Sequence, residues 1–80
     1  MKLTYDPKAN AAYIYLRERG PGDELETIEL SDEVNVDIAP DGRVFGIELL
    51  NANAQLKTAG EGVLVLVNQV LDKTEKVPLP

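Results

Sequence analysis

Fourteen carboxylates, three tyrosines and one serine are the groups this chain offers for chemistry, with no histidine and no cysteine beside them. That inventory leaves out a thiolate nucleophile, an imidazole base and a Cys/His zinc site. Asp37 and Asp41, taken with Asp32 and Asn35, have the residue types of a calcium loop. They lack its D-x-D-x-D-G spacing and its closing glutamate, so Asp41 reads as a turn former. Asp6 and Asn10 put two polar groups at one end of a strand pair, where Asx hydrogen bonding in a turn accounts for them. Glu48 lies between Ile47 and Leu49 and points away from their apolar face; if partly buried it needs a partner, and Arg17 or Arg43 would serve. No second acid is placed by the sequence for a two-carboxylate mechanism. Ser31 has no base in reach. The sequence therefore names no catalytic, cofactor-binding or metal-binding residue, and it predicts a protein that is not an enzyme and takes no cofactor.

Tyr13, Tyr15 and Arg17 share one side of a strand. Aromatic residues beside arginine suit an interface centre. They also suit ordinary sheet packing, with the rings covering Gly46 or cross-strand neighbours, and the sequence leaves these two readings open. Stacking on single-stranded nucleic acid would need a basic groove. Residues 18–41 instead carry nine acids (Glu18, Asp23, Glu24, Glu26, Glu29, Asp32, Glu33, Asp37, Asp41) against Arg19 alone, within a net charge of −6 for the chain. This segment repels phosphate, so no nucleic-acid partner is expected. It would suit a basic protein, or simply a solvated sheet face that resists aggregation.

The elements that position these residues are mostly strands. Lys2 to Asp6 alternates, with Leu3 and Tyr5 on one side, and Asp6-Pro7 breaks it into a turn. Ala11 to Glu18 follows as the second strand of a hairpin, with Ala12, Ile14 and Leu16 on one face. Arg19-Gly20-Pro21-Gly22-Asp23 is a break. Glu24 to Leu30 is a weaker strand, its acids and the out-of-phase Leu25 suggesting an edge or a bulge. Glu33 to Ala39 and Arg43 to Leu50 form a hairpin about Asp41-Gly42.

Two registers compete in that hairpin. A two-residue Asp41-Gly42 loop opposes Ile38 to Phe45, Val36 to Ile47 and Val34 to Leu49, and puts all six side chains on one face. Pro40, however, has no N–H to complete the bond pair beside the loop. A turn centred on Pro40 and Asp41, with Gly42 left-handed, opposes Ile38 to Val44 and Val36 to Gly46 instead. The first pairing is favoured because it segregates the faces.

Asn51 to Thr58 reads as a short helix with Asn51 or Asn53 as N-cap, ended by Gly60-Glu61-Gly62. Val63 to Leu71 is apolar enough for either a helix face or a strand; its Val-Leu-Val-Leu-Val composition favours strand, and apolar residues on both sides need cover on both. Lys73 to Pro80 reads as a polar tail. No apolar run is long enough to span a bilayer.

The stretch Thr4-Tyr5-Asp6-Pro7-Lys8-Ala9-Asn10-Ala11-Ala12-Tyr13-Ile14-Tyr15-Leu16 resembles the opening of a small prokaryotic family, the DUF2283 domain. Asn35-Val36-Asp37, Asp41-Gly42-Arg43-Val44 and Gly46-Ile47-Glu48-Leu49-Leu50 resemble its second half, so the likeness runs from residue 2 to about 53. Tyr15 stands where a basic residue is common in the family, and Asn51-Ala52-Asn53 where an Asp-Ala-Ser-like triplet is usual. The family has no assigned activity. Proximity of similar proteins to small toxin-like partners implies, by analogy, an antitoxin-like role.

The sequence thus predicts an α+β, mostly β fold: an antiparallel meander of about five strands, a short helix and a C-terminal apolar segment. Residues 1–72 make a single domain and 73–80 a tail. A single sheet with so little helix cannot cover its own apolar face, which predicts a self-associating interaction module, a two-fold homodimer. Tyr13, Tyr15, Arg17, Val63, Val65 and Val67 are the candidate interface; Asp6, Pro7, Asp41 and Gly42 are turn residues. The alternatives are an acidic partner that neutralises a small basic protein, and a small ligand binder or enzyme using Asp6, Asp37 or Glu48. A cytoplasmic location and no membrane partner are expected.

Overall fold

The computed structural model describes residues 1–57 and 62–80. Five strands, β1 (Lys2–Asp6), β2 (Ala11–Tyr15), β3 (Glu26–Ser31), β4 (Val34–Ile38) and β5 (Val44–Leu50), form one antiparallel sheet in the order β1-β2-β5-β4-β3. A short helix α1 (Ala52–Lys57) follows, then a separate hairpin of β6 (Val63–Asn68) and β7 (Lys73–Pro78). The mostly β sheet and the short helix are those the sequence predicts. The strand order departs from a simple meander at one step. β2 pairs with β5 instead of β3, because the Gly- and Pro-bearing segment 16–25 is long enough to carry the chain to the far edge. The acidic β3 is consequently an edge strand, exposed along its whole length and bulged between Glu29 and Ser31. Charge and a bulge both discourage pairing with another sheet there.

Strand alternation divides the sheet into two unlike faces. On one, Leu3, Ile14, Ile47, Val36 and Ile28 stand opposite one another in a single row across all five strands. Tyr5, Ala12, Leu49 and Val34 form the adjoining row. The other face is polar, with Thr4, Tyr13, Glu48, Asn35 and Glu29 in one row.

The β4–β5 hairpin satisfies both competing registers in turn. Val34 opposes Leu49 and Val36 opposes Ile47, as the favoured pairing requires. At the loop, Ile38 opposes Val44, as the other requires. The Gly42 N–H donates to Ala39 O (2.9 Å) and the Ala39 N–H to Arg43 O (2.8 Å), around a Gly42 with φ of 86°. Pro40 and Asp41 thus sit at the turn centre, where the missing N–H of Pro40 costs nothing. A bulge between Asp37 and Ile38 absorbs the one-residue slip, leaving Phe45 as the extra residue of β5. Phe45 is buried, with its ring edge-on to Tyr15 at 6.1 Å.

Helix α1 sits against β2. Ala52, its first residue, is fully buried and Ala12 of β2 nearly so, while the Tyr5 hydroxyl donates to Asn53 Oδ1. The helix therefore covers the Tyr5–Ala12 end of the apolar face. Of the large apolar side chains described, Phe45 alone is buried; Leu3, Ile14, Val34, Val36, Ile47 and Leu49 are half-buried and Ile28 is exposed.

Residues 73–78, expected as a tail, are strand β7. The Asn68 side-chain oxygen accepts the Val70 and Leu71 N–H groups at 3.1 Å each, and Asp72 takes a φ of 52°. That turn reverses the chain and lets charged Lys73-Thr74-Glu75-Lys76 pair with apolar β6. Val63 to Asn68 is a strand, and 69–72 form the turn after it. The residues expected to end α1, Gly60 and Glu61, lie outside the described residues. Among the described residues, no helix is long and apolar enough to cross a membrane.

Candidate functional site

Three groups of side chains bear on function: the polar sheet face, the loop cluster beside α1, and the uncovered apolar surfaces.

On the polar face Tyr13 lies over Gly46. A Cβ at position 46 would come within 2.6 Å of the Tyr13 hydroxyl and 2.7 Å of ring carbon Cζ, so only glycine leaves room for the ring. The Tyr13 hydroxyl donates to Asp37 Oδ2 at 2.5 Å, and the Thr27 hydroxyl donates to Asp37 Oδ1 at 2.6 Å. Burial, then the hydrogen bond and negative charge of Asp37, raise the Tyr13 phenol well above the ordinary tyrosine range. Tyr15 stacks tilted on Tyr13, with ring centroids 4.4 Å apart, and Lys2 Nζ lies 4.4 Å over the Tyr15 ring. Glu48 Oε1 accepts from Asn35 Nδ2 at 2.9 Å. Its partner is thus Asn35, its cross-strand neighbour, and not Arg17 or Arg43.

Arg17 pairs instead with Asp41, Nη1 to Oδ2, at 2.7 Å. The Arg17 guanidinium and the Arg43 N–H, which donates to Asp41 Oδ1 at 3.0 Å, hold the Asp41 carboxyl below its usual range. Met1, Lys2, Tyr15, Arg17, Glu18 and Arg19 line a shallow cleft of about 360 Å³. Tyr13, Tyr15 and Arg17 thus share a neighbourhood, but each already has an internal contact.

The loop cluster joins residues far apart in the chain. Asp6 Oδ1 accepts the Lys8 and Ala9 N–H groups at 3.0 and 3.2 Å, closing the turn in which Pro7 sits. Asn10 adopts a φ of 54°, and its Oδ1 accepts the Asn53 N–H at 2.8 Å. The Asn10 carbonyl accepts the Ala52 N–H at 3.1 Å. Asn51, at the N-cap position, points its own side chain elsewhere: it accepts from Asn10 Nδ2 and donates to Glu33 Oε1. The first turn of α1 is therefore capped from the β1–β2 loop. Sequence reasoning did not single out Asn10 and Asn53 as a pair. The available signal was residue type alone, an asparagine at a loop exit and another beside a candidate helix start.

Asp6, Asp37 and Glu48 each serve a separate turn or cross-strand bond, and Asp6 and Glu48 line one shallow cleft with Thr4 and Tyr13. Among the described residues, no group of three or more His, Cys, Asp or Glu is placed to hold a metal ion.

Val63, Val65 and Val67 project from one side of the β6–β7 hairpin, and Leu64 and Leu66 from the other. Leu66 and Val67 are 55% and 54% exposed, and Val65 and Val77 are each 49% exposed. The row Leu3–Ile14–Ile47–Val36, half-buried, and the exposed Ile28 make a second apolar surface that is only partly covered among the described residues.

No curated protein and no solved structure matches the chain. Residues 2–53, which span β1 to β5 and the start of α1, match the family described as a protein of unknown function, DUF2283. The match covers well over half of the chain, and it includes the Asp6-Pro7 turn, Tyr13 over Gly46, and the Asp41-Gly42 loop; the chain belongs to the DUF2283 family.

Proposed function

We propose that this protein is a self-associating interaction module, assembled as a two-fold dimer, with no catalytic step of its own. One observation carries the reading. The chain has an accessible surface of 6014 Å². A compact monomer of 8.8 kDa would have about 4800 Å². The excess, about 1200 Å², matches one partner's share of an obligate dimer interface, roughly 1000–2500 Å². The shape agrees: extents of 36 × 33 × 20 Å and a radius of gyration of 14.2 Å describe a slab, where a compact chain of this length would have a radius of about 11.6 Å. Beyond the Tyr5–Ala12 end that α1 covers, the described residues give the apolar face little second layer. The absence of catalysis is supported by the commitment of Asp37 and Glu48 to cross-strand bonds. A cytoplasmic setting is part of the proposal.

The test is equilibrium unfolding in urea at protein concentrations spanning two decades. A dimer whose protomers depend on each other unfolds at a midpoint that rises with concentration. A midpoint independent of concentration would count against the reading.

A second reading, an antitoxin-like role against a small basic protein, is favoured by the exposed acids Glu26 and Glu29 of the β3 edge and Glu24 just before it. Binding through that edge would weaken steeply with added salt. Salt-insensitive binding would exclude the charge mechanism.

A further inference from the structure

We infer that the β6–β7 hairpin of one protomer lies across the apolar sheet face of the other, so that two protomers exchange arms. The inference rests on the dimer reading and names the surfaces that meet.

Three observations lead to it. First, the hairpin is a two-stranded sheet by itself, and such a unit is marginal in water without a packing partner. Its Leu64, Val65, Leu66 and Val67 remain 41% to 55% exposed, so within one chain it does not cover its own sheet. Second, the dimensions agree. Strands of six residues run about 20 Å. The row Leu3–Ile14–Ile47–Val36–Ile28 crosses five strands, about 19 Å at the usual spacing. Third, the exchange covers both surfaces at once. Stacking sheet on sheet leaves both hairpins bare, and pairing hairpin with hairpin leaves both sheets bare. In a two-fold arrangement each arm meets the partner's sheet, and the contact repeats by symmetry. Charge permits it. The hairpin holds Asp72 and Glu75 against Lys73 and Lys76, so it adds no net charge to the contact, whereas sheet-on-sheet stacking crowds two strongly acidic subunits together.

Because the chain has no cysteine, disulfide trapping reports the contact directly. Full-length Ile47→Cys chains are mixed with Leu66→Cys chains, and separately with Val65→Cys chains, which sample the two sides of the hairpin. The mixtures are then oxidised. The expected result is a mixed disulfide that predominates over both homodisulfides in one of the two mixtures. Predominance of the Ile47→Cys homodisulfide, or no excess of the mixed product in either mixture, would overturn the assignment. Two further variants, Leu64→Lys with Leu66→Lys and Val65→Lys with Val67→Lys, change exposed side chains only, one side of the hairpin each. The variant on the side that forms the mixed disulfide should fall to the mass of one chain in light scattering while keeping the sheet's circular dichroism; an unchanged dimer mass in both would overturn the assignment. The two levels separate cleanly. A wild-type chain of single mass defeats the dimer reading and this inference with it. A wild-type dimer without the mixed disulfide defeats the arm exchange alone.

Discussion

Gly46→Ala tests whether the polar face is held by the Tyr13 ring. The added methyl would enter the space of the ring, 2.6 Å from the hydroxyl and 2.7 Å from Cζ. Tyr13 is half-buried and can swing outward, but only by giving up its 2.5 Å bond to Asp37 and its stacking on Tyr15. A hydrogen bond to a charged group contributes roughly 1.5–3 kcal/mol. Replacing glycine returns about 0.4–1 kcal/mol through the unfolded chain. The net loss should be about 2 kcal/mol. In a domain of this size that lowers Tm by about 8–16 °C. Thermal and urea unfolding of wild type, Gly46→Ala, Tyr13→Leu and the double variant complete the cycle. In the Tyr13→Leu background Gly46→Ala should be neutral or mildly stabilising, giving a coupling of about 2 kcal/mol. An equal cost in both backgrounds, or none in either, would refute the reasoning.

Titration offers two further checks. The folded Tyr13 phenol holds its proton more tightly than the unfolded one, so its contribution is complete below about pH 10 and is lost as pH rises beyond that. Tyr13→Phe should flatten the alkaline stability profile measured by urea unfolding, and an unchanged alkaline slope would refute it. Asp41 is shifted the opposite way, first by Arg17; its contribution is present above about pH 3.9 and is lost as pH falls through the lowered folded value. Arg17→Ala should move the Asp41 carboxyl back toward the ordinary range in a carbon-detected NMR titration, and no movement would count against the pair. Asn10→Ala removes the acceptor of the Asn53 N–H and places alanine at a φ of 54°, a loss of about 1–2 kcal/mol in urea unfolding; a neutral result would show that the loop does not cap α1.

Legibility in the sequence followed how local each determinant is. Val34, Val36, Ile47 and Leu49 alternate on either side of an Asp-Gly loop, and the pairing of these four was readable because it depends only on alternation. The position of Phe45 was not, since Pro40 and the apolar stripe demand different registers and a bulge reconciles them. The union of β2 with β5 joins residues more than thirty apart, and no local pattern chooses β5 over β3. Lys73 to Lys76 looked like a tail because β7 has few apolar positions; it is a strand because Asn68 and Asp72 build the turn that returns it to β6. The site was legible only in part. Turn chemistry at Asp6 and Asp41 follows from residue type. Asn10 and Asn53 meet only because the folded sheet brings the first loop to the helix.

As proposed, this slab of a protein has less mass than its apolar surface requires and closes that surface with a second copy. Size-exclusion chromatography with light scattering on the full chain at micromolar concentration measures this directly. A two-fold dimer gives a mass twice the 8.8 kDa of one chain. A clean peak at the mass of one chain would contradict it.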